Sequence, residues 1–390
     1  MNGTSHETDI LVFGTMGNIG PQVQELLASH GLRTAAVPFM QNVFRDEPGY
    51  RRTLVRAIAD YRPGIVFPIG NPLAMSRFKW LLELGIPLGT VLNCRKVDAL
   101  WEEAVGKVRI VVEKEETVRL LDSKVRCNAL ARELGIMRPA VYDTPEDVPV
   151  GMKVVFKRDV SFGGHGVHLP KDMGALERLI AHQSPGEPFL IEEFIEGVDY
   201  SLDAVRWGGK MVSGGYRCQH TKSDCGAICL PSKGIGSVDG HARQSVKGFG
   251  PSDGHVYHSA KSFGPAGYRE VLHDGDPVLE KMRACAGTIL EHLDYQGVCG
   301  FDFRADTSGN VRLLECNPRF TGGMAAQAAA GFDIPWTLYS MLKADTPKPV
   351  ISGENNRPST VVSGEAEIYA TCKKPLKSSL HAPRVIKKTQ

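Results

Sequence analysis

The chain has 390 residues, which is too long for one hydrophobic core of ordinary size, so we expect two or three domains. Its 46 basic and 44 acidic side chains give a net charge of +2, which provides no overall field that would attract nucleic acid or an anionic membrane. The apolar share of 42% is that of a globular protein, and nine cysteines without a disulfide-like spacing are most simply explained as reduced thiols.

The N-terminal residues and the longest apolar runs bear on the cellular location of the protein. The first nine residues are polar and the first apolar run covers only Ile10 to Phe13, so we expect no signal peptide. No run approaches the roughly 20 apolar residues that a membrane-spanning helix requires. We therefore expect a cytoplasmic protein with no membrane and no nucleic-acid partner, and the sequence is compatible with a homodimer.

Residues 1–115 alternate predicted strands and helices. The predicted strands cover 9–13, 34–37, 63–69 and 86–91, and the predicted helices cover about 20–30, 51–61 and 78–84. Such βαβ alternation predicts a parallel sheet with helices on both faces, as in a Rossmann-like domain.

The loop after the first predicted strand contains three glycines, Gly14, Gly17 and Gly20. Their G-x-x-G-x-x-G spacing differs from the dinucleotide-binding pattern, and the second strand ends in Val37 and Pro38 instead of an acidic residue, so NAD binding is disfavoured. Two other interpretations stay open. The glycines allow a tight turn and close helix–strand packing, or the loop and the helix N-terminus hold a substrate carboxylate or phosphate.

A charged helical region from about 113 to 135 follows, with an N-cap predicted at Asp122 or Ser123 directly before Lys124. Further along, an apolar strand ends in Lys157 and leads into a glycine-rich loop. The loop residues of interest are Ser161, Gly163, Gly164 and Gly166. Glycines let backbone N–H groups approach phosphate oxygens closely, although a plain turn explains the same residues.

Residues 189–204 contain three apolar residues, then a mixture of acidic and apolar residues, then a turn at Gly197. An extended hinge of this kind can supply the apolar slot and the backbone donor and acceptor groups that an adenine base requires. The hinge residues are Glu192, Glu193, Phe194 and Ile195. Asp199, just beyond the turn, can accept hydrogen bonds from ribose hydroxyls. The alternative is a strand–turn–strand whose acidic side chains are simply exposed.

Residues 207–277 are poor in apolar side chains, and 231–276 form either a long surface insertion or a lid over the acceptor substrate. In a lid, positive charge near the phosphates would come from Arg217, Lys222 and Lys233. A metal site is a further interpretation of this region. Its ligands would be Cys218, His220, Cys225 and Cys229, but their spacing fits no common zinc motif.

Two neighbouring apolar runs in the last third of the chain carry polar side chains. Asp302 lies in GVCGFDFRAD, and Glu315 and Asn317 follow the run that begins at Val311, with a turn-like Thr-Ser-Gly-Asn between the runs. The pattern predicts a hairpin with Asp302 beside Glu315, and Asn317 on the face of Glu315. Carboxylate and amide oxygens are ligands that Mg²⁺ takes beside phosphates, and Arg319 adds a donor fork for phosphate or carboxylate. An ordinary hairpin with two acidic residues is the alternative.

The chain resembles the ATP-grasp ligases over roughly residues 1–345. Five features occur in the order and at about the spacing of that family: Lys124, Lys157 with its glycine-rich loop, the EEFIEG-x-D hinge, Asp302, and the motif E-x-N-P-R. The resemblance implies an ATP-grasp fold, in which two α+β subdomains grip ATP, preceded by a Rossmann-like parallel α/β domain. The implied divisions are a pre-ATP-grasp domain (1–115), a helical linker with the small subdomain (116–203), the large subdomain with the insertion 231–276 (204–349), and a returning strand with a basic tail (350–390).

The resemblance also implies roles for single residues. Lys124 and Lys157 look like the two lysines that reach the ATP phosphates, and Arg319 looks like the arginine that steadies the transferred phosphoryl group. Asp199 and Asp302 match a ribose contact and a metal ligand at positions where the family more often has Glu. Asp302, Glu315 and Asn317 together match the metal ligands.

The function implied by the resemblance is ATP-dependent joining of a carboxylate to an amine through an acyl-phosphate, with release of ADP and phosphate. The cofactors would be ATP and Mg²⁺, with Mn²⁺ as a substitute, and the partners would be small-molecule or short-peptide carboxylate and amine substrates. Lys157 and Arg319 would be catalytic because they neutralise developing charge. A kinase or carboxylase on the same fold, or a non-catalytic nucleotide-binding module, is the alternative.

Overall fold

A computed structural model of the protein describes residues 8–15, 19–39, 47–83, 108–161, 166–219, 255–256 and 268–344. Several predictions lie outside these residues: the strand 86–91, most of the insertion 231–276, the segment 350–390, and the residues Gly17, Gly163, Gly164, His220, Lys222, Cys225, Cys229 and Lys233.

The first part of the chain forms a parallel sheet, as the alternation of strands and helices predicts. Its elements are β1 (Thr8–Thr15), α1 (Ile19–Ser29), β2 (Thr34–Pro38), α2 (Glu47–Tyr61), β3 (Pro63–Pro68), α3 (Pro72–Glu83) and β4 (Arg109–Ile110). The strand order is β2-β1-β3-β4, and each neighbouring pair is parallel. The helix α3 begins before the predicted one because the Asn71 side chain caps it, accepting the Ala74 N–H at 2.9 Å.

Gly14, near the end of β1, makes a close backbone contact with Gly70, just after β3. Gly14 has a φ of +77°, a value that favours glycine. A side chain added at Gly70 would collide with the Gly14 carbonyl oxygen. This contact supports the tight-turn interpretation of Gly14.

The charged segment that follows forms two helices, α4 (Glu115–Asp122) and α5 (Lys124–Glu133), where the sequence predicts one helical region. Ser123 lies between them with extended backbone, and its hydroxyl accepts the Arg126 N–H at 3.1 Å. The predicted N-cap before Lys124 is therefore Ser123.

A small antiparallel sheet follows. Its elements are β5 (Val141–Tyr142), a 3₁₀ turn (Pro145–Asp147), β6 (Val154–Arg158), β7 (Val167–Leu169), α6 (Met173–Ala181) and β8 (Phe189–Glu193), and β11 (His255–Val256) joins its edge. The order is β11-β7-β6-β8-β5. Phe156, Leu176 and Ile191 are buried between the sheet and α6, where they form a separate small core.

A second antiparallel sheet has the order β12-β10-β9-β13-β14. Its elements are β9 (Gly197–Trp207), β10 (Lys210–Gln219), β12 (Tyr268–Val271), α7 (Pro277–His292), β13 (Gly297–Asp306), β14 (Val311–Asn317), α8 (Met324–Ala329) and α9 (Ile334–Ala344). One face packs on α5 and α7 through residues such as Leu202, Phe301 and Leu313. Val205 and Val298, at one end of the opposite face, pack in a core shared with β1 and α1. Among the described helices, none is long and apolar enough to cross a membrane.

Candidate functional site

The face of the second antiparallel sheet that bears the polar residues is organised by the register of β9, β13 and β14. Asp199, Ser201 and Asp203 alternate along β9 and therefore share one face. Their partners on β13 are Arg304, Asp302 and Gly300, and cross-strand partners lie on the same face. Asp302 and Gly300 are in turn opposite Glu315 and Asn317 on β14. The hairpin predicted from the sequence is therefore formed, with Asp302 opposite Glu315.

The middle of this face is a cluster of oxygen atoms around Asp302. Its carboxylate accepts the Ser201 hydroxyl at 2.7 Å and the Asn317 side-chain N–H at 3.3 Å. The Arg319 guanidinium donates to the Asn317 Oδ1 atom at 2.9 Å. Asp302, Asn317 and Arg319 thus form one hydrogen-bonded chain, and the predicted catalytic arginine lies beside the predicted metal ligands.

These residues fit a hard divalent cation by the chemistry of their donor atoms. Asp302 and Glu315 offer carboxylate oxygens and Asn317 offers an amide oxygen, which is a set that Mg²⁺ accepts. Among the described residues, no three His, Cys, Asp or Glu side chains are grouped as a metal site. The third protein ligand would thus be the Asn317 oxygen, which accepts from Arg319 in this structure.

Lys124 connects this cluster to the glycine-rich loop. Its buried ammonium lies 3.6 Å from the Glu315 carboxylate and donates to Ser161 Oγ and to the Ser161 carbonyl, both at 3.2 Å. Asp159 fixes the start of α5, because its carboxylate accepts the Ser123 hydroxyl at 2.7 Å and the Val125 N–H at 2.9 Å. The N-terminus of α5 therefore holds Lys124 between the loop and the carboxylates.

Lys157 and Glu192 form a buried ion pair across β6 and β8. The Lys157 Nζ atom lies 2.5 Å from Glu192 Oε2, and the two side chains are 9% and 2% exposed. The sequence predicted that Glu192, as part of the hinge, would lie beside the adenine base. In the structure its carboxylate holds the lysine that was predicted to reach phosphate.

The predicted hinge lines a cleft that is open to solvent and has about 30 Å³ available to the centre of a water molecule. The lining residues are Val155, Lys157, Val167, Glu192, Glu193, Phe194, Ile195, Arg304 and Leu314. Five of these side chains are apolar, and the charged ones lie among them. The Glu193 carboxylate is turned towards the Ala140 N–H at 3.3 Å, and the Phe194 N–H donates to the Lys153 carbonyl at 2.9 Å. The hinge is thus held in an extended form beside an apolar slot.

Asp199, the predicted ribose contact, is paired with a residue that the sequence reasoning missed. Its Oδ1 atom lies 3.4 Å from the Nε atom of Arg304. Arg304 follows Asp302 by two positions, so the same alternation that places Asp302 on this face also places Arg304 there. That alternation was the signal in the sequence that could have identified it.

Arg217 lies away from this cluster. It is opposite Tyr200 of β9, while its neighbour Tyr216 is opposite Ser201, so Arg217 is on the other face of the sheet. Its guanidinium lies 3.9 Å from the Glu270 carboxylate. We therefore leave Arg217 out of the proposed site, and the alternation of β10 is the physical reason.

A second missed feature is a buried polar network that holds the segment after Arg319. The Asp203 carboxylate accepts the Thr321 hydroxyl at 2.5 Å and the Gln327 side-chain N–H at 2.6 Å. All three side chains are buried, and Gly300 leaves the space that Thr321 occupies. The network ties the chain that follows Arg319 to β9.

Asp122 is a further acidic group at the site, which the sequence reasoning considered only as a helix cap. Burial raises the pKa of its carboxyl above the ordinary value, and the nearby charges of Arg319 and Lys124 oppose that rise. Asp122 therefore lies near the Glu315 carboxylate and near two cations, Arg319 and Lys124.

Comparison with known proteins bears on this arrangement. A family model described as ATP-grasp in the biosynthetic pathway with Ter operon matches residues 260–362. None of the curated proteins matches the chain in sequence.

Solved structures resemble the chain over most of its length. The L-amino acid ligase from Bacillus licheniformis has a TM-score of 0.54 at 12% identity, over 86% of this chain and 74% of that one. Biotin carboxylase from Campylobacter jejuni, as its beta-gamma-ATP complex, has a TM-score of 0.54 at 13% identity, over 86% and 71%. N5-carboxyaminoimidazole synthase from Aspergillus clavatus, in complex with ADP and 5-aminoimidazole ribonucleotide, has a TM-score of 0.53 at 11% identity, over 87% and 78%. At such identities these likenesses establish the fold and leave the reaction open.

Proposed function

We propose a reaction for this chain on the premise that it has the ATP-grasp fold: it joins a carboxylate to an amine, with conversion of ATP to ADP and phosphate. The observation that carries the proposal is the cluster in which Arg319, Asn317, Asp302 and Ser201 are hydrogen-bonded and Lys124 lies 3.6 Å from Glu315. The L-amino acid ligase among the similar structures supports a substrate class of amino acids or short peptides.

Each part of the site has a proposed role. The cleft beside Glu192–Ile195 would take the base, and Asp199 would accept the ribose hydroxyls. Lys124, Lys157 and the loop residues Ser161 and Gly166 would bind the phosphates. Asp302, Glu315 and Asn317 would hold Mg²⁺, whose positive charge would lower the repulsion between the phosphates and an incoming carboxylate.

The chemistry follows from these positions. An oxygen of the substrate carboxylate would attack the γ-phosphorus, the bond to the β–γ bridging oxygen would break, and ADP would leave. The amine would then attack the acyl carbon, phosphate would leave, and the proton of the amine would pass to water. Arg319 and Lys157 would stabilise the negative charge on the transferred group, so catalysis needs positioning and electrostatics but no side-chain nucleophile.

A carboxylase is the second candidate, because two of the similar structures are N5-carboxyaminoimidazole synthase and biotin carboxylase. The two reactions differ in the carboxyl group that ATP activates. A carboxylase activates bicarbonate, whereas the proposed ligase activates an organic carboxylate.

The test is phosphate release from MgATP in the presence of pools of amino acids, short peptides and other small carboxylates. Each pool is assayed with and without bicarbonate, in buffers from which dissolved carbon dioxide has been removed. We expect release that requires an organic carboxylate, with hydroxylamine able to replace the amine and form a hydroxamate. Release that requires bicarbonate and an acceptor, and no other carboxylate, would establish the carboxylase instead.

A further inference from the structure

Arg304 occupies a position in the hinge cleft for which the proposed reaction has no role yet. It lines the cleft together with Phe194 and Ile195. Its guanidinium carbon lies 4.9 Å from the centre of the Phe194 ring, over the ring face. Its Nε atom lies 3.4 Å from Asp199 Oδ1, and its Nη2 atom lies 3.5 Å from the Gly197 carbonyl oxygen. One side chain therefore contacts the hinge, the turn after it and the acidic residue beyond the turn.

The burial of this pair argues that it is more than a surface ion pair. The side chains of Arg304 and Asp199 are 14% and 11% exposed. Two charges that are largely removed from water are costly unless each is held by its partner. Arg304 is planar and presents donors in a fixed fork, so it can fix the orientation of a carboxylate that a flexible ammonium would leave free to rotate.

The register explains why these groups meet. Asp199 is opposite Arg304 in the pairing of β9 with β13. On the same face of the sheet, the next row of paired residues is Ser201 with Asp302, two positions along each strand. The row that holds the predicted ribose contact thus adjoins the row that holds the predicted metal ligands. A nucleotide that spans both rows would have its ribose beside Asp199 and its phosphates beside Asp302.

We propose that Arg304 is a positioning residue for the nucleoside part of the nucleotide: it orients the Asp199 carboxylate towards the ribose hydroxyls and fixes the Phe194 wall of the base cleft. The inference rests on the proposed use of ATP and adds a residue to that site. It identifies the ligand group as a ribose with free hydroxyls, attached to a base that enters the cleft.

The experiment measures the binding of two probes by calorimetry. MgADP carries both ribose hydroxyls, and the magnesium complex of 2′,3′-dideoxy-ADP carries neither. The variants are Arg304→Met, which keeps the aliphatic stem, Arg304→Lys, which keeps the charge, and Asp199→Asn. The matched control is Arg312→Met, because Arg312 lies opposite Arg304 on β14 but pairs with Asp306 at 2.7 Å outside the cleft.

We expect the wild-type protein to bind MgADP more tightly than the dideoxy probe. In Arg304→Met the affinity for MgADP should fall about tenfold, which corresponds to about 1.4 kcal/mol, and the affinity for the dideoxy probe should change little. Asp199→Asn should show the same loss, and the double variant should show no further loss, because the two residues act through one contact. Arg304→Lys should recover part of the preference, and Arg312→Met should bind both probes as the wild type does.

Two results would overturn the inference, and they differ from each other. Binding of MgADP by the wild type with an unchanged preference in Arg304→Met would refute the role of Arg304 and leave the proposed function standing. Failure of the wild type to bind MgADP would refute the nucleotide site and the inference with it. If Arg304→Met unfolds at a lower urea concentration than the wild type, the Arg304→Lys variant is used instead. A purely structural role of Arg304 would leave the ratio of the affinities for MgADP and the dideoxy probe at the wild-type value in that variant.

Discussion

The buried pair of Lys157 and Glu192 allows stability and nucleotide binding to be separated. Removing one partner, as in Glu192→Leu or Lys157→Met, leaves a charge buried at a site where the side chains are 9% and 2% exposed. Breaking such a pair costs about 3–5 kcal/mol, whereas replacing both partners with apolar residues is often neutral or stabilising by about 1–4 kcal/mol. The single variants should therefore be strongly destabilised and the double variant should be as stable as the wild type or more so.

The assay is native-state hydrogen exchange at the amides of β6 and β8, because a chain with several sheets does not have to unfold as one unit. The free energy of opening should fall in each single variant and recover in the double variant. The double variant should nevertheless lose most of its affinity for MgATP, since it lacks the lysine proposed to bind phosphate. Single variants that each cost less than about 1 kcal/mol, as for an exposed ion pair, would contradict a buried and uncompensated charge at this site.

Three further predictions concern the metal ligands, the Asp203 network and acid stability. Glu315→Ala should abolish phosphate release while the protein stays folded, because among the described residues only Asp302 and Asn317 would still ligate the metal. Near wild-type release would exclude Glu315 as a metal ligand. Thr321→Val removes the 2.5 Å hydrogen bond to Asp203 and should lower the free energy of unfolding by about 1–3 kcal/mol. Thr321→Ser keeps the hydroxyl and should lower it less. Equal losses in the two variants would contradict a stabilising role of the hydrogen bond. Burial, with a smaller effect of a nearby arginine, lowers the pKa of His168 below its ordinary value of 6.5. The stability gained by keeping the His168 imidazole neutral is present above pH 6.5 and is lost as the pH falls through the lowered pKa. The melting temperature of His168→Phe should therefore fall less on acidification than that of the wild type. Parallel curves of melting temperature against pH would contradict this role of His168.

The sequence predicted those features that depend on spacing within one segment. Alternating strands and helices predicted the parallel sheet, and the turn between the two apolar runs predicted the β13–β14 hairpin. The turn forms because the Asp306 carboxylate accepts the N–H groups of Ser308 and Asn310, both at 2.9 Å. The hairpin was predictable because its two strands are adjacent in sequence, and the parallel sheet was predictable because strands that alternate with helices form parallel neighbours.

A bulge on β14 shows where alternation alone is insufficient. Asp302 is opposite Glu315, but the next residue, Phe303, is opposite Leu313, so Leu314 is the extra residue. Leu313 is therefore buried in the core while Leu314 lines the cleft. Two adjacent leucines give no sequence signal that distinguishes these roles.

Contacts between distant segments were also beyond the sequence. Cys127 of α5 and Cys316 of β14 lie with their sulfur atoms 3.3 Å apart although 189 positions separate them. Cys316 stands between Glu315 and Asn317, so this contact places the helix that carries Lys124 against the strand that carries the predicted metal ligands. The pairing depends on how α5 packs on the sheet, and that packing is a property of the whole core.

The nucleotide product distinguishes attack at the γ-phosphorus of ATP from attack at the α-phosphorus. In the proposed site the hinge and the glycine-rich loop hold the base and inner phosphates, and Asp302, Glu315 and Arg319 act at the outer ones. Chromatography of the spent nucleotide, from a reaction in which a carboxylate pool drives phosphate release, shows which bond was broken. We expect ADP and phosphate in equal amounts, with a hydroxamate when hydroxylamine replaces the amine. AMP and pyrophosphate as the stoichiometric products would contradict attack at the γ-phosphorus and the proposed function with it.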